Sequence, residues 1–336
     1  MNLPPDLDLS GLTLLPGLIN AHDHLEFNLF PRLGRGPYAN ASEWAADIYR
    51  PDDPPVREHL RVPKSVRLFW GGIKNLLAGV TTVLHHNPYQ PEVFESNFPV
   101  RVIRRFGWAH SLRFSPDIRK HYDAAPPDAP FIVHACEGTD RSAADEIREL
   151  DALGVLGPRT VIVHGVGLDS AGIALLKERG ASLIWCPSSN HFTLGRTISP
   201  EVLNSGIPIA LGTDSALTGQ GDLLDELEVA SRHVPWSRLY DMVTAEPAKI
   251  LRIESHESDL VAVRDPRNLT PELVVIDGRI RLISERLAKP LRLPGFHPIE
   301  IADRGRWLID CDLPRLMGSV REVLGEALLS GKAVSV

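Results

Sequence analysis

Cysteine, methionine and aromatic residues are all scarce in this chain. Its 336 residues include 3 cysteines and 3 methionines, and aromatic side chains make up 6% of the total. The three cysteines (Cys136, Cys186 and Cys311) cannot all pair, and none forms a Cys-x-x-Cys motif. This excludes a small scaffold held by disulfides and favours a reducing compartment, with the cytoplasm as the simplest location.

An excess of positive charge and long apolar runs are also missing. The net charge of −7 argues against binding to nucleic acid or to an anionic membrane. No apolar run approaches the roughly 18 residues that a membrane-spanning helix needs. The first residues carry no basic segment, and Pro16 interrupts the apolar stretch that follows, so we expect no signal peptide. The composition, 43% hydrophobic and 24% charged, is typical of a globular protein with a full core.

Histidine, in contrast, occurs 13 times, and several histidines directly follow short apolar runs. Leu12–Ile19 leads into His22 and His24, and Pro130–Val133 leads into His134. Continuous apolar runs of this length are typical of parallel strands that are buried on both faces. The other runs of this kind are Val80–Leu84, Thr160–Val163, Ser182–Trp185 and Ile207–Gly212.

Segments with helical spacing of apolar residues separate these runs. Asp169–Arg179 begins with a capping Asp-Ser pair and is followed by Gly180, which suits the residue after a helix end. The other predicted helices are Ser65–Leu77, Leu223–His233 and Trp236–Leu251. Alternating strands and helices with polar residues at the strand ends predict a β/α barrel whose active face lies at those ends.

The pair His22 and His24 is the strongest chemical signal. Two residues apart at the end of an extended run, both imidazoles project to the same side of the chain and can share one ion. His134 and Asp214 also close predicted strands. Three imidazoles and one carboxylate suit a zinc or ferrous ion with one position left for water.

Two further polar residues follow these strands. Glu137, three residues after His134, can carry a proton from water to a leaving group, or it can merely complement a helix dipole. His164 ends the next apolar run, where it can orient the attacking water, polarise the substrate, or simply fill the mouth of the barrel.

Six segments resemble, in this order, the amidohydrolase superfamily. They read LLPGLINAHDHL, GVTTVLHH, FIVHACEG, VIVHGVGLD, CPSSN and ALGTDS, and VTAEPAKILRI resembles the segment after the last barrel strand. The resemblance covers roughly residues 11 to 286 and is closest to the branch of cytosine deaminase, guanine deaminase and triazine hydrolase.

The resemblance implies a distorted (β/α)8 TIM barrel with one divalent metal ion, zinc or alternatively iron. The implied metal ligands are His22, His24, His134 and Asp214. Glu137 would be the proton shuttle, His164 would contact the attacking water or the substrate, and Asp214 would also act as a base. Binuclear relatives use a modified lysine on strand four. Lys120 is the one lysine between His86 and His134, but its surroundings look helical, which favours one metal.

The sequence departs from the family between Phe98 and Phe131. Only one convincing strand, Val100–Phe106, is found there, so the barrel is expected to be compressed around strands three and four or to lack a unit. We expect the barrel at 15–252 and a small, reduced β-sandwich appendage from 1–14 plus 256–286. Within this appendage, 259–263, 272–276 and 279–283 are expected to be strands. Residues 287–336 would form a C-terminal extension with a helix near 314–329.

Candidate substrate contacts lie at the other strand ends, and each can equally be a loop or packing residue. They are His86, Trp108, His110 and Asn190, with Glu26, Asn28, Asn87, Ser189, His191 and an entrance loop at Leu33–Arg50 as further candidates. The leading hypothesis is an enzyme that hydrolyses a C–N bond of a small cyclic nitrogenous compound by metal-assisted deamination. The alternatives are hydrolysis of a cyclic amide, hydrolytic dechlorination, and a non-catalytic barrel that binds a ligand. The expected partner is a small molecule, and both a monomer and a homodimer remain open.

Overall fold

The computed structural model describes Pro4 and residues 7–253, 258–301, 304–326, 328–329 and 332–335. Its strands are β1 Thr13–Pro16, β2 Leu18–Asp23, β3 Val80–His85, β4 Arg101–Val102, β5 Gly107–Ser111, β6 Phe131–Ala135, β7 Thr160–His164, β8 Ser182–Trp185, β9 Ile209–Leu211, β10 Leu260–Asp265, β11 Asn268–Ile276, β12 Arg279–Ser284, β13 His297–Ile301, β14 Gly305–Ile309, β15 Leu328–Leu329 and β16 Lys332–Ser335. Its helices are α1 Ala41–Ile48, α2 Val56–Leu60, α3 Lys64–Leu77, α4 Pro91–Phe94, α5 Ile118–Ala124, α6 Arg141–Ala152, α7 Ser170–Arg179, α8 Pro187–Leu194, α9 Pro200–Leu203, α10 Leu223–Ala230, α11 Trp236–Met242, α12 Ala245–Ile250, α13 Glu285–Ala288 and α14 Leu313–Leu324.

Eight parallel strands, β2 to β9, form a distorted TIM-barrel fold. They are hydrogen-bonded as a three-stranded group, β2-β3-β4, and a five-stranded group, β5-β6-β7-β8-β9. A parallel bridge between Asp23 and Asp214 joins the first strand to the segment after the last. The hydrogen-bond ladder is interrupted between β4 and β5, so the predicted barrel is confirmed but is not closed at this wall.

The interruption lies where the sequence predicted a compressed barrel. The predicted single strand Val100–Phe106 is wrong, because β4 has two residues and β5 begins only at Gly107. The four intervening residues include exposed Arg104 and Arg105 and leave no room for a helix. A fourth barrel strand is therefore present, and the missing part is the helix that would precede it.

Most predicted helices are confirmed with small changes at their ends. The Asp169 side chain accepts a hydrogen bond from the Gly172 N–H at 2.7 Å, and Gly180 adopts a left-handed φ of 67° at the other end of α7. Lys120 lies in helix α5 with its side chain 78% exposed, and therefore is not at a strand end.

The predicted helix Trp236–Leu251 is wrong, because it is broken into α11 and α12. Proline at 247 has no N–H to donate to the carbonyl four residues earlier, on Val243. That carbonyl instead accepts a hydrogen bond from the N–H of Ile19 in β2, at 2.8 Å. The break therefore satisfies a backbone group of the first barrel strand.

An antiparallel sheet packs beside the barrel, in the strand order β1-β10-β11-β12-β14-β13-β16-β15. The predicted hairpin is found as β11 and β12, with Ile276 opposite Arg279. Strands from the stretch after residue 287 join the same sheet, and α14 is the helix expected there. The domain boundaries themselves stay predictions. Within the described residues, no helix is both long enough and apolar enough to cross a membrane.

Candidate active site

The four predicted metal ligands converge at the carboxyl ends of the barrel strands. The Nε2 atom of His134 lies 3.2 Å from His22 Nε2 and 3.4 Å from His24 Nε2. Oδ1 of Asp214 lies 3.6 Å from the Nε2 atoms of both His22 and His24. Ligands about 2.1 Å from one ion lie roughly 3–3.5 Å apart at tetrahedral or octahedral angles. These residues therefore fit one divalent metal ion.

Two of these groups are oriented by hydrogen bonds outside the cluster. Nδ1 of His134 lies 2.8 Å from the His110 carbonyl oxygen, to which it donates, so its Nε2 carries the lone pair. Oδ2 of Asp214 accepts hydrogen bonds from the hydroxyls of Ser189, at 2.7 Å, and Thr218, at 2.8 Å. Its Oδ1 is left to face the imidazoles.

The residue between the two first histidines, Asp23, is fully buried in a polar network. Its carboxylate accepts hydrogen bonds from Asn28 at 2.6 Å, Asn75 at 2.9 Å and Thr213 at 3.1 Å, and Lys74 Nζ lies 3.7 Å away. These contacts tie β2 to helix α3 and to the segment before Asp214. Lys74 and Asn75 were not predicted as part of the site, although a lysine on the apolar face of a predicted helix indicates a buried partner.

Burial favours the neutral form of the His22 and His134 imidazoles, as metal ligation requires. Loss of solvent lowers the pKa of His22 to about 4 and that of His134 well below its ordinary value. Burial opposes ionisation of Asp214, but the nearby imidazoles of His22, His164 and His24 hold its pKa below the ordinary range. His22 and His134 therefore present neutral nitrogen atoms beside one carboxylate.

Glu137 and His164 form a pair at the edge of this cluster. His164 Nε2 lies 3.5 Å from Glu137 Oε1, and His164 Nδ1 lies 2.8 Å from Asn190 Oδ1, to which it donates. Burial first, and then the charges of Asp214 and Glu146, raise the pKa of Glu137 well above its ordinary value. Burial thus favours the protonated form of Glu137, which can direct its proton toward the lone pair of His164.

A cavity of about 530 Å³ opens beside the cluster, and its lining includes His110, Phe114, His134, Glu137 and Glu146. The volume lies within the ~300–1,000 Å³ typical of small-molecule sites. Of the four main substrate-contact candidates, His110 lines this cavity. The others lie elsewhere: Trp108 packs edge-on against His86 at 5.6 Å, His86 lies among the clustered imidazoles, and Asn190 is engaged by His164.

The predicted entrance loop Leu33–Arg50 contains helix α1 and lies over the cavity. The Ala41 N–H donates to the Glu137 carbonyl at 2.9 Å, so this segment is tied to the loop that carries Glu137. The remaining candidates have protein partners or lie at the surface. Glu26 pairs with His85 and Lys64, Asn87 hydrogen-bonds to Glu26, and His191 is exposed and stacks on His233.

Glu226 on helix α10 is a further residue of the site that was not predicted from the sequence. This carboxyl group is fully buried and contacts both the hydroxyl and the N–H of Ser188, the latter at 3.0 Å. The two residues after Ser188 hold Asp214 and His164, as described above. Glu226 therefore clamps the turn that positions two groups of the cluster.

Glu226 also leads to a prediction for stability. Burial raises the pKa of Glu226 to about 8 from an ordinary value of 4.5. A raised folded-state pKa stabilises the protein at low pH, and this contribution is lost as the pH rises from about 4.5 through 8. Glutamine mimics the protonated carboxyl, so the Tm of Glu226→Gln relative to wild type should rise between pH 5 and 8 and then level off.

Thermal unfolding of both proteins across this pH range checks the result. Glu226→Ala is the matched control, because it deletes the clamp and should lower the Tm at every pH. A constant difference in Tm between Glu226→Gln and the wild type would show that Glu226 ionises normally.

Comparisons with known proteins place this geometry in a family. A model of the amidohydrolase family matches residues 125–281. A 5'-deoxyadenosine deaminase of Methanothermobacter thermautotrophicus is 31% identical, over 82% of this chain and 83% of that protein. A 5-methylthioadenosine/S-adenosylhomocysteine deaminase of Thermococcus kodakarensis is 38% identical, over 67% of this chain and 64% of that protein.

Two solved structures share the fold. A mutant of the atrazine chlorohydrolase of Arthrobacter aurescens, complexed with zinc and atraton, has a TM-score of 0.70 at 16% identity, covering 94% of this chain and 88% of that one. A zinc-bound adenosine deaminase of Xanthomonas campestris has a TM-score of 0.63 at 19% identity, covering 93% of this chain and 85% of that one.

The TIM-barrel fold and the cluster of imidazoles and a carboxylate thus define a metal-dependent hydrolase of C–N bonds whose substrates are small molecules. The chain belongs to the amidohydrolase family. The resemblance stated from the sequence motifs is confirmed.

Proposed function

We propose that this enzyme uses one divalent ion, zinc, to deaminate the adenine ring of a nucleoside whose 5' position is modified. His22, His24, His134 and Asp214 would hold the ion. The observation that carries the proposal is the pair of Glu137 and His164, which faces these four residues at the edge of a cavity large enough for a nucleoside.

The reaction would add water to the ring carbon that bears the amino group and release that group as ammonia, leaving a carbonyl. A bound divalent ion supplies Lewis acidity and makes a water molecule acidic enough to attack at neutral pH. Asp214 accepts a proton of the attacking water. Glu137 gives its proton to the ring nitrogen, takes up the remaining proton of the added water as the carbonyl forms, and passes that proton to the leaving amine. The proton held by Asp214 then returns to Glu137, so that both carboxyl groups are reset.

His164 orients these transfers. Because its Nδ1–H is donated to Asn190, its Nε2 lone pair is directed to the side where Glu137 lies. When charge develops on the substrate, this nitrogen can accept a hydrogen bond from Glu137 or from the attacking water.

The substrate class is supported by the relatives. Two relatives that are at least 30% identical over most of the chain are named for activity on 5'-deoxyadenosine and on 5-methylthioadenosine or S-adenosylhomocysteine. The triazine hydrolase likeness extends to the fold alone, so dechlorination enters as an outcome of the test.

The test measures ammonia release by zinc-loaded enzyme from 5'-deoxyadenosine, methylthioadenosine, S-adenosylhomocysteine and adenosine. Cytosine and guanine are assayed in the same way. A cyclic amide and a chlorinated triazine, whose hydrolysis releases no ammonia, complete the panel and are followed by the ring-opened product and by chloride release. We expect the highest kcat/KM on a 5'-modified adenosine. Turnover confined to any of the last four compounds would contradict the proposal, and a protein that binds these ligands without turnover would be the non-catalytic barrel.

The role of His164 leads to a separate prediction. His164→Asn should retain the ion and lower kcat more than it raises KM, because the ring acts on the reacting groups and is not among the four proposed ligands. Metal analysis and steady-state kinetics check this. A variant with the wild-type rate would show that the histidine only fills the barrel.

Two further proposals concern the surroundings of the enzyme. Cys136, Cys186 and Cys311 are all unpaired and buried, which supports a reducing compartment such as the cytoplasm. A homodimer is proposed as the alternative to a monomer, and light scattering of the purified protein distinguishes them.

A further inference from the structure

A fourth imidazole lies against the three imidazoles of the proposed metal ligands. His86 follows the last residue of β3 and is 1% exposed. Its ring centre is 4.5 Å from that of His134 and 5.0 Å from that of His22. Four ring nitrogens, one from each of His22, His24, His86 and His134, lie within 4.8 Å of one another. Two ligands on opposite sides of one ion, each about 2.1 Å from it, would also lie within this distance.

The two nitrogens of His86 have different surroundings. Nε2 lies 3.2 Å from the carbonyl oxygen of Ala109, to which it donates. Nδ1 is buried and has no hydrogen-bond partner within the described part of the chain. A neutral ring that donates through Nε2 carries its lone pair on Nδ1. A buried acceptor with no partner destabilises the folded protein, and a bound cation or ligand there would relieve this cost.

Backbone carbonyl groups of the same strand, β5, orient both His86 and His134. His134 donates to the carbonyl of His110, and His86 donates to the carbonyl of the preceding residue in β5. Metal-binding histidines characteristically donate their other ring N–H to a backbone carbonyl or carboxylate, which fixes the tautomer. The Nε2 atom of His86 is thus hydrogen-bonded as in a metal-binding histidine, and its Nδ1 atom keeps an unused lone pair.

His164 has no such free nitrogen. It also lies close to the cluster, but Nδ1 is engaged by Asn190 and Nε2 faces Glu137. This contrast indicates different roles for His164 and His86. His164 belongs to the proton-transfer pair, whereas nothing in the described protein uses the lone pair of His86.

We propose that His86 binds the metal through Nδ1, so that four imidazoles and the Asp214 carboxylate surround one divalent cation. This rests on the proposed ligand set of His22, His24, His134 and Asp214. Five protein ligands leave one of six positions for water, and a nitrogen-rich set of this kind favours borderline cations such as zinc, iron and cobalt over magnesium or calcium.

The experiment replaces the native ion with Co²⁺ and compares the wild type with His86→Gln. Co²⁺ with more ligands absorbs visible light more weakly, so loss of a ligand should strengthen the absorption band. We also expect at least a tenfold weaker affinity for zinc in competition with a chelator, since even residues that only orient ligands change affinity by 10–100-fold. His110→Ala is the matched control, because it removes a nearby imidazole but keeps the backbone carbonyl that orients His134.

A His86→Gln enzyme with the wild-type spectrum and zinc affinity but a raised KM would overturn the proposal and make His86 a substrate contact. X-ray absorption of the wild-type zinc enzyme gives an answer that does not depend on folding of a variant. Four imidazoles in the zinc shell support the proposal, and three contradict it. These readouts need no substrate, so failure of the deaminase proposal in the ammonia panel is distinguishable from failure of this one.

Discussion

Replacing His134 with alanine is expected to remove the metal and the activity together. The Nε2 atom of this ring lies within 3.4 Å of the Nε2 atoms of both His22 and His24, so its loss opens the centre of the cluster. Metal content after reconstitution and turnover of the same sample should both fall to the background.

The control for this change is His191→Ala, which deletes an exposed imidazole that stacks on His233 outside the cluster. It should bind one equivalent of metal as the wild type does. If His134→Ala retained a full equivalent of metal, the proposed ligand set would have to be abandoned, whatever the substrate proves to be.

Replacing Glu137 with glutamine should have the opposite effect on the metal. The variant keeps the size of the side chain but cannot give up a proton, so we expect metal content near that of the wild type and a fall in kcat of about 10²-fold or more. Metal analysis and kinetics at saturating substrate measure the two quantities separately.

Glu149 offers a matched control, since it is an exposed carboxylate that lines the same cavity. Glu149→Gln makes the same chemical change at another carboxyl group of the cavity, and its kcat should stay within a few-fold of the wild type. Equal losses in both variants would indicate a general effect of replacing a carboxyl group in the cavity, and loss of metal from Glu137→Gln would make Glu137 a ligand of the ion.

The sequence predicted the ligand cluster because its geometry follows from strand order. His22 and His24 share one face of one strand, and the carboxyl ends of neighbouring parallel strands meet at one edge, where His134 and Asp214 lie. Those positions depend only on the barrel and on a local period of two residues. The barrel and the convergence of these four side chains could therefore be predicted without any tertiary information.

The residues that hold the cluster could not be located in this way. Glu226 meets Ser188 across 38 positions of the chain, and on its own helix it resembles a surface carboxylate. His86 appeared only as one of several strand-end candidates, because the difference between its two nitrogens depends on a carbonyl of another strand. Long-range hydrogen bonds of this kind leave no periodic pattern.

The errors in the fold have local physical causes. The predicted strand Val100–Phe106 is longer than the observed strand Arg101–Val102, because two residues are too few to show a pattern that marks where the strand ends. At the break in the last predicted helix, the Val243 carbonyl accepts a hydrogen bond from Ile19 in another element. The spacing of apolar residues along a helix does not reveal such a contact.

The antiparallel sheet has a consequence for the order of folding. Its strand β1, at residues 13–16, pairs with β10, at residues 260–265, so nearly the whole barrel lies between the two partners along the chain. Such a pairing closes a very large loop, and its entropic cost is met only after the barrel between them has become compact. We therefore expect the β1–β10 pairing to form after the barrel, so that it joins the two arms of the chain late in folding.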